Sequence, residues 1–228
     1  MKKIAILQSN YIPWKGYFDL INMVDEFILY DDAQYTKNDW RNRNLIKTID
    51  SVKWLTVPVR RKKLNQQIKH TKIIDKKWGR RHWSAIVQNY SKAKYFNEYK
   101  GDFESLYTSS SEEYLSQINY QFIILINSIL GITTNIRWSS EFDLYGGQTE
   151  KLLGICTNSN ADIYLSGAAA KAYFDVVLAE RVGIKVEWMD YNNYPEYSQL
   201  HLPFEHGVTI LDLIFNEGPN ATCFMKSF

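Results

Sequence analysis

The first turn of the chain carries side chains of the kinds that bind anions. The residues after the apolar run Lys3–Leu7 that could touch a ligand are Gln8, Tyr11, Trp14, Gly16 and Tyr17. An amphipathic segment follows, so the turn is expected at a helix N-terminus, where free N–H groups favour a phosphate. Gly16 would let that phosphate approach the backbone. The structural alternative is that Trp14 and Tyr17 fix the helix to the sheet.

The densest polar cluster follows the second apolar run. It comprises Asp31, Asp32, Gln34, Lys37, Trp40, Arg41, Asn42, Arg43 and Asn44. Arg41 and Arg43 alternate, so on an extended segment they share a face and are predicted to hold a diphosphate. Asn42 and Asn44 would then point the other way. The alternative is an ion pair between Asp31 or Asp32 and Arg41.

Two histidines are candidate general bases. His82 follows Arg80 and Arg81, whose charges would lower its pKa and favour the neutral imidazole. A lone helical histidine beside a tryptophan is also typical of a packed or surface residue. His206 is the second candidate, with Glu205 or Asp212 to orient it.

A turn in the second half of the chain supplies candidate backbone donors. Ser166 and Gly167 follow a short strand and precede a helical segment, so they could bind a phosphate or an oxyanion, or simply cap the helix. Cys156 lies in an apolar helix and is predicted to be an inert buried thiol. The four histidines lack the paired spacing of a zinc site, and no metal ligands are assigned.

The charge is concentrated in one segment. Ten basic residues and one acid lie between Arg60 and Arg81, a net charge of +9, whereas the rest of the chain carries −7. Such a segment could attract a nucleotide, a nucleotide sugar or RNA, with Trp78 and Trp83 as stacking platforms. The alternative is a solvated loop and helix face.

The elements that must position these residues follow an α/β pattern. Strands are predicted at Lys3–Leu7, Glu26–Tyr30, Thr133–Trp138, Ile163–Leu165 and Ile184–Met189, with helices between them, including one over Ala168–Gly183. Asn44–Ile49 and Val52–Val59 flank the two-residue turn Asp50-Ser51 and predict a hairpin. Three helices are predicted between Lys76 and Leu130. The fold class is therefore α/β, one domain over 1–228, with a mostly parallel Rossmann-like sheet, a β-hairpin insertion and a helical middle segment.

Composition limits the class of protein. The 228 residues are 45% hydrophobic and 23% charged, which excludes a disordered or collagen-like chain. The longest nearly apolar stretch, Phe122–Leu130, is too short to span a membrane, and the start lacks a secretory signal. The chain also has only two cysteines, too few for the disulfide framework of a secreted protein. A cytoplasmic location is therefore expected.

Four stretches together resemble the WbqC-like family. They are Gln8-Ser9-Asn10-Tyr11-Ile12-Pro13-Trp14-Lys15-Gly16-Tyr17-Phe18, Asp32-Ala33-Gln34-Tyr35 with Trp40-Arg41-Asn42-Arg43-Asn44, Trp54-Leu55-Thr56-Val57-Pro58-Val59, and Tyr164-Leu165-Ser166-Gly167. Members of the family are typically encoded among genes for O-antigen and other surface polysaccharides. The resemblance therefore implies a cytoplasmic step on a nucleotide-linked sugar.

These observations lead to one functional hypothesis and two alternatives. The leading hypothesis is a transferase that moves an acyl or aminoacyl group to an amino sugar linked to a nucleotide, with tRNA as one source of the donor. A nucleotidyltransferase would instead need Mg²⁺ on Asp31, Asp32 or Asp190. The third hypothesis is an RNA- or polyanion-binding module. The expected partner is thus a phosphorylated small molecule, and binding to a membrane is not expected.

Overall fold

The computed structural model describes all 228 residues. The strands are β1 (Lys3–Leu7), β2 (Glu26–Leu29), β3 (Arg43–Lys47), β4 (Val52–Thr56), β5 (Val59–Arg60), β6 (Lys72–Ile73), β7 (Asn135–Trp138), β8 (Ile163–Gly167) and β9 (Lys185–Met189). The α-helices are α1 (Lys15–Asn22), α2 (Trp78–Tyr90), α3 (Phe96–Ser109), α4 (Leu115–Leu130), α5 (Gln148–Asn158), α6 (Val176–Arg181) and α7 (Ile210–Glu217).

Five strands form a parallel sheet in the order β7-β2-β1-β8-β9. The chain builds outward from β1 to β7 on one side, then crosses back to place β8 on the other side of β1. The predicted α/β class with a mostly parallel Rossmann-like sheet is confirmed. In such sheets the crossing leaves a crevice at the carboxyl ends of the two central strands, here β1 and β8.

Both faces of the sheet are covered, which is why its central strands are predominantly apolar. Ala5, Phe27 and Leu29 belong to the larger core, which α1–α4 and α7 complete. Ile4 and Ile28 point to the opposite face and join a smaller core with α5 and α6. The alternation of side chains along each strand thus divides the residues between two layers.

The segment between β2 and β7 holds the predicted hairpin and the three predicted helices. The hairpin is β3–β4, but Lys47 pairs with Val52, so its loop has four residues rather than the predicted two. Thr48 closes this loop, because its N–H and its hydroxyl both donate to the Ser51 carbonyl. The second strand ends at Thr56 rather than at Val59.

A second small hairpin was not predicted. Val59 and Arg60 form β5, which pairs antiparallel with β6 inside the basic segment. The predicted helix over Ala168–Gly183 is also wrong as a continuous element. A 3₁₀ turn over Ala168–Ala172 is separated from α6, whose first turn is capped by the Asp175 carboxylate. Asp175 has an extended backbone conformation, as N-cap residues do, so the 3₁₀ turn and α6 cannot form one continuous helix.

None of the helices combines the length and the apolar character needed to cross a bilayer.

Candidate functional site at the carboxyl edge of the sheet

A cavity of about 270 Å³ opens where β1 and β8 end, at the crossing point of the sheet. We call it the switch-point cavity. Gln8 follows β1, Tyr30 follows β2, and Ser166 and Gly167 end β8, so three neighbouring strands contribute to its wall. Arg41 is the one charged side chain that lines it. The sequence brings a single cation to the place where ligands bind in sheets of this kind.

Two amides hold the Arg41 guanidinium in place. It donates to Asn10 Oδ1 and, over 3.2 Å, to Gln8 Oε1, both in the turn after β1. Asp39 Oδ2 lies 3.7 Å from Nη2. The Arg41 side chain is 15% exposed, so its charge is fixed and largely shielded from water. A guanidinium held in this way is preorganised for an anion such as a phosphate.

The turn that presents these amides is itself fastened to a buried carboxylate. Asp31 accepts hydrogen bonds from the Ser9 backbone N–H (2.8 Å) and hydroxyl (2.7 Å). Asn119 Nδ2, from α4, donates to the same hydroxyl and to the Arg41 carbonyl. Burial raises the pKa of Asp31 to about 6, against the lowering effect of the Ser9 hydrogen bonds. The pKa of this carboxyl therefore lies well above the usual range of an aspartate.

Asp31 also lines a second cavity, of about 330 Å³, which we call the polar pocket. Asp32, Lys69 and Ser139 face each other in it. The Asp32 carboxylate pairs with the Lys69 ammonium and accepts from the Ser139 hydroxyl at 2.8 Å. Tyr30 lines the switch-point cavity and the next residue, Asp31, lines the polar pocket, so the two spaces lie side by side at the strand ends.

A third cavity lies on the other side of Asn10. It has a volume of about 310 Å³ and is walled by Trp14 and Trp40, with Pro13 and Asn44; we call it the aromatic slot. Trp40 is 43% exposed and packs against Trp54, which is 41% exposed, at a centroid distance of 5.3 Å. Exposed indoles at a cavity mouth offer flat apolar faces to a sugar or a nucleobase.

Arg41 and Arg43 were predicted to share a face and hold a diphosphate together, but their guanidiniums do not lie in one cavity. Arg43 lies over the Trp54 ring, 4.1 Å from its centroid. Asn42 and Asn44 are buried, and their amide nitrogens donate to backbone carbonyls, those of Val57 for Asn42 and of Tyr11 and Ile12 for Asn44. Their contacts fix the loop that carries Arg41.

Other residues of the predicted binding set lie outside the three cavities. Gln34 and Lys37 are exposed, and Gln34 forms a bridge with Gln67. Tyr17 is buried and donates to the Gln8 carbonyl at 3.1 Å. Gly16 has no open space in front of it, because a Cβ there would lie 2.4 Å from the Trp14 indole. The tryptophan fills the place expected for a phosphate, which supports the structural alternative for this turn.

His82 lies in the aromatic core and not in a cavity. Its Nδ1 accepts from the Tyr11 hydroxyl at 2.8 Å, and its Nε2 donates to the Thr56 carbonyl at 3.2 Å. Burial lowers the pKa of His82 to about 4, with smaller contributions from Arg81 and Lys53. Both ring nitrogens are engaged with the protein, so the packing favours a structural role for His82 and for Tyr11.

The predicted pair of His206 and Asp212 is not brought together by a hydrogen bond. His206 is exposed and packs edge-on against Phe204. Asp212 is buried, and burial raises its pKa. Four side chains donate to Asp212: Tyr90, Tyr197, Gln199 and Asn216. The carboxylate ties α2, α7 and the segment before α7 to one another.

The carboxylates considered for Mg²⁺ have separate partners. Asp31 bonds Ser9, Asp32 pairs with Lys69, and Asp190 pairs with Lys226 at the surface. No group of three His, Cys, Asp or Glu side chains converges in the structure.

Several residues of the site were missed by sequence reasoning. Ser9 and Asn10 were quoted only within a motif. Tyr30, Asn119 and Tyr173, which also lines the switch-point cavity, were not singled out. Tyr30 could have been found, because it directly follows a predicted strand whose carboxyl end should border the crevice. Asn119 sits in the middle of a helix, and only the tertiary packing brings it to Ser9.

The chain is similar to known proteins over almost its whole length. The model of the WbqC-like protein family matches residues 8–223. A curated protein of Mycobacterium tuberculosis (strain ATCC 25618 / H37Rv), named "Uncharacterized protein Rv1507c", is 45% identical over 227 residues, covering 99% of this chain and 98% of its own. No solved structure matches the chain.

Proposed function

The chain belongs to the WbqC-like protein family, and on that premise we propose that it is a transferase that binds a nucleotide-linked amino sugar at the carboxyl edge of its sheet and adds an acyl or aminoacyl group to the sugar amine. The observation that carries this proposal is the switch-point cavity, whose single charged lining residue is the immobilised Arg41. A phosphate is the commonest anion bound at this position in α/β sheets.

The three cavities suit the three parts of such a ligand. Arg41 lies between the switch-point cavity and the aromatic slot, because it lines the first and bonds Asn10, which lines the second. A diphosphate on Arg41 would leave one end of the ligand near Trp40. The other end would reach the polar pocket, whose Asp32, Ser139 and Gln117 side chains are suited to sugar hydroxyls.

We assign the general base to Asp31. Acyl transfer to an amine forms a C–N bond and breaks the bond from the acyl carbon to the oxygen or sulfur of the donor, while the amine loses a proton. A base for this step works best with a pKa near the working pH. Asp31 lines the polar pocket with a pKa of about 6, whereas His82 and His206 lie outside the three cavities.

Nucleotidyl transfer has less support from the geometry, because it requires carboxylates to converge on Mg²⁺ and those of Asp31, Asp32 and Asp190 have separate partners. A base-stacking RNA module is also less favoured, since Trp78 and Trp83 are each only 7% exposed and pack in the core.

Calorimetric titration with UDP- and dTDP-linked amino sugars tests the proposal. We expect Arg41→Ala to weaken binding roughly 10- to 100-fold, which is the usual effect of losing hydrogen bonds to a charged group. Arg41→Lys should restore only part of the affinity, because an ammonium cannot bridge Gln8 and Asn10 in the same way. Arg181→Ala, at an exposed helix end, is the matched control and should bind as the wild type does.

Product formation is tested in the same preparation. Mass spectrometry of a mixture containing the amino-sugar nucleotide and an acyl or aminoacyl donor should show the sugar nucleotide heavier by the acyl group. Binding that is unchanged in Arg41→Ala would contradict the assignment of the phosphate site. Absence of binding to every nucleotide sugar by the folded protein would contradict the proposed function.

A further inference from the structure

The basic segment forms a groove and not only a run of charges. Lys76, Lys77, Arg80 and Arg81, at the start of α2, face Lys53 of β4 across an open depression of about 880 Å³. No acidic residue lines it. We call it the basic groove. It is too open to enclose a small ligand, which normally loses most of its surface to its pocket.

The positive surface continues along the second hairpin. Arg60, Lys62 and Lys72 line an adjoining cavity of about 400 Å³, the hairpin pocket, together with His70 and Tyr114. Ile74 in this pocket is two residues from Lys76 in the groove, so the two are consecutive along the chain. We refer to the groove and the hairpin pocket together as the basic face.

Most cations of this face lack a carboxylate partner. Lys72 and Arg81 pair with Glu113 and Asp75. The other cations of the face have no carboxylate within salt-bridge distance: Lys53, Arg60, Lys62, Lys76, Lys77 and Arg80. Clustered like charges repel, and the phosphates of a polyanion would neutralise them. Binding would also release the counterions that are condensed on the polyanion.

The basic face leads to the candidate site. His70 and Tyr114 line the hairpin pocket and also the polar pocket that contains Asp31. A chain of phosphates on the groove and hairpin therefore runs toward the carboxyl edge of the sheet. A polyanion bound there would bring its end to the place assigned to the sugar amine.

We propose that the basic face binds the phosphodiester backbone of an RNA that carries the acyl donor on its end, as an aminoacyl-tRNA does. This inference rests on the proposed function for the nature of the donor. In the reaction the sugar amine attacks the ester carbonyl, the C–N bond forms, the ester C–O bond breaks, and the amine proton ends on the ribose oxygen that leaves. The face binds the backbone by charge, since its groove is lined by cations, Ser84, Gln88 and Thr108 and by no aromatic side chain.

Fluorescence anisotropy with labelled, unfractionated tRNA tests the inference on the full chain. Binding should weaken about 100-fold as KCl rises from 50 to 200 mM, because roughly four phosphate contacts each release counterions. The triple variant Lys76→Ala/Lys77→Ala/Arg80→Ala should lower the affinity about 10- to 100-fold and reduce the salt slope by roughly 2 to 3.

A charge-matched control separates the face from the total charge of the protein. Lys92→Ala/Lys100→Ala/Arg181→Ala removes three exposed cations elsewhere and should leave tRNA binding unchanged. An equal loss of affinity in both triple variants would overturn the inference. So would the absence of tRNA binding at 50 mM KCl, equal affinity for duplex DNA, or binding of phosphatidylglycerol vesicles without binding of tRNA.

Nucleotide-sugar titration of the same proteins keeps the two proposals distinct. The groove variant should bind the amino-sugar nucleotide as the wild type does, because its substitutions lie outside the switch-point cavity. Loss of tRNA binding alone therefore tests the basic face. Loss of sugar-nucleotide binding in Arg41→Ala tests the proposed function.

Discussion

Two buried carboxylates, Asp31 at the sheet edge and Asp212 in the helical layer, are desolvated to a similar degree but have different surroundings. Asp212 receives hydrogen bonds from four side chains and lines none of the main cavities. The Asp31 carboxylate receives hydrogen bonds from Ser9 alone, and the residue lines the polar pocket. A buried carboxylate whose hydrogen-bonding capacity is filled by protein groups is typical of a structural role. A buried carboxylate that has few hydrogen-bond partners and lies beside a cavity is typical of a functional role.

The largest effect on stability is expected in the helical layer. Asp212→Ala removes the acceptor of the Tyr90 and Tyr197 hydroxyls and one of the acceptors of the Gln199 amide. We expect a loss of about 3 to 5 kcal/mol in the free energy of unfolding. His82→Ala leaves a cavity in the aromatic core and removes the partner of the Thr56 carbonyl, which should cost about 3 kcal/mol. Urea denaturation measures both. His206→Ala, at the surface, should stay within about 0.5 kcal/mol of the wild type.

Wild-type stability in Asp212→Ala combined with loss of transfer activity would reverse this assignment. It would return Asp212 to the catalytic role that the sequence suggested.

The opposite behaviour is expected of Asp31. Its folded-state pKa of about 6 lies above the usual value of an aspartate, near 3.8, so the folded protein favours the protonated form and loses stability as pH rises from about 4 to 6. Asp31→Asn cannot ionise. Its stability relative to the wild type should therefore increase by up to about 3 kcal/mol between pH 4 and 7, measured by denaturation across that range.

Activity should separate Asp31 from a purely structural residue. Transfer by the wild type should rise with pH through about 6, as the base loses its proton, and Asp31→Asn should lose both the rate and this pH dependence. Wild-type transfer by a stable Asp31→Asn protein would contradict the role of general base.

Gly16 and Gly167 also differ in this way, one being tightly packed and the other bordering a cavity, and the expected effects are smaller. Both were predicted to admit a phosphate, but a Cβ at Gly16 would meet the Trp14 ring at 2.4 Å, while one at Gly167 has Tyr191 Oη as its nearest neighbour, at 3.6 Å. Gly16→Ala should therefore cost about 1 to 3 kcal/mol, and Gly167→Ala should be within about 0.5 kcal/mol of the wild type. Thermal unfolding of the two variants compares them directly, and equal shifts would contradict the packing described for Trp14.

The sheet could be predicted because its strands are short apolar runs whose carboxyl ends carry polar residues, as at Leu7-Gln8 and Tyr30-Asp31. Those ends also placed Gln8, Ser166 and Gly167 at the cavity. The second hairpin could not be predicted, because two-residue strands carry too little pattern and β5 pairs with a segment twelve residues further along the chain.

Histidine chemistry was the least predictable part of the site. His82 has cationic neighbours in sequence, and these suggested a neutral general base, with a packed or surface histidine as the alternative. Helical geometry instead turns its ring inward, between Tyr11 and Trp78, while Arg80 and Arg81 face solvent. The apolar residues Trp78, Ile86 and Tyr90 recur at helical spacing on the face that carries His82, so their pattern supports the packed alternative, whereas the cationic neighbours alone did not distinguish it from a general base.

Crystals of the protein soaked with a UDP-linked amino sugar give the most direct test of the central claim. We predict electron density for the diphosphate within hydrogen-bonding distance of Arg41, between the ends of β1 and β8, with the sugar amine directed toward Asp31. Density for the diphosphate on the basic face, with the switch-point cavity empty, would contradict the account.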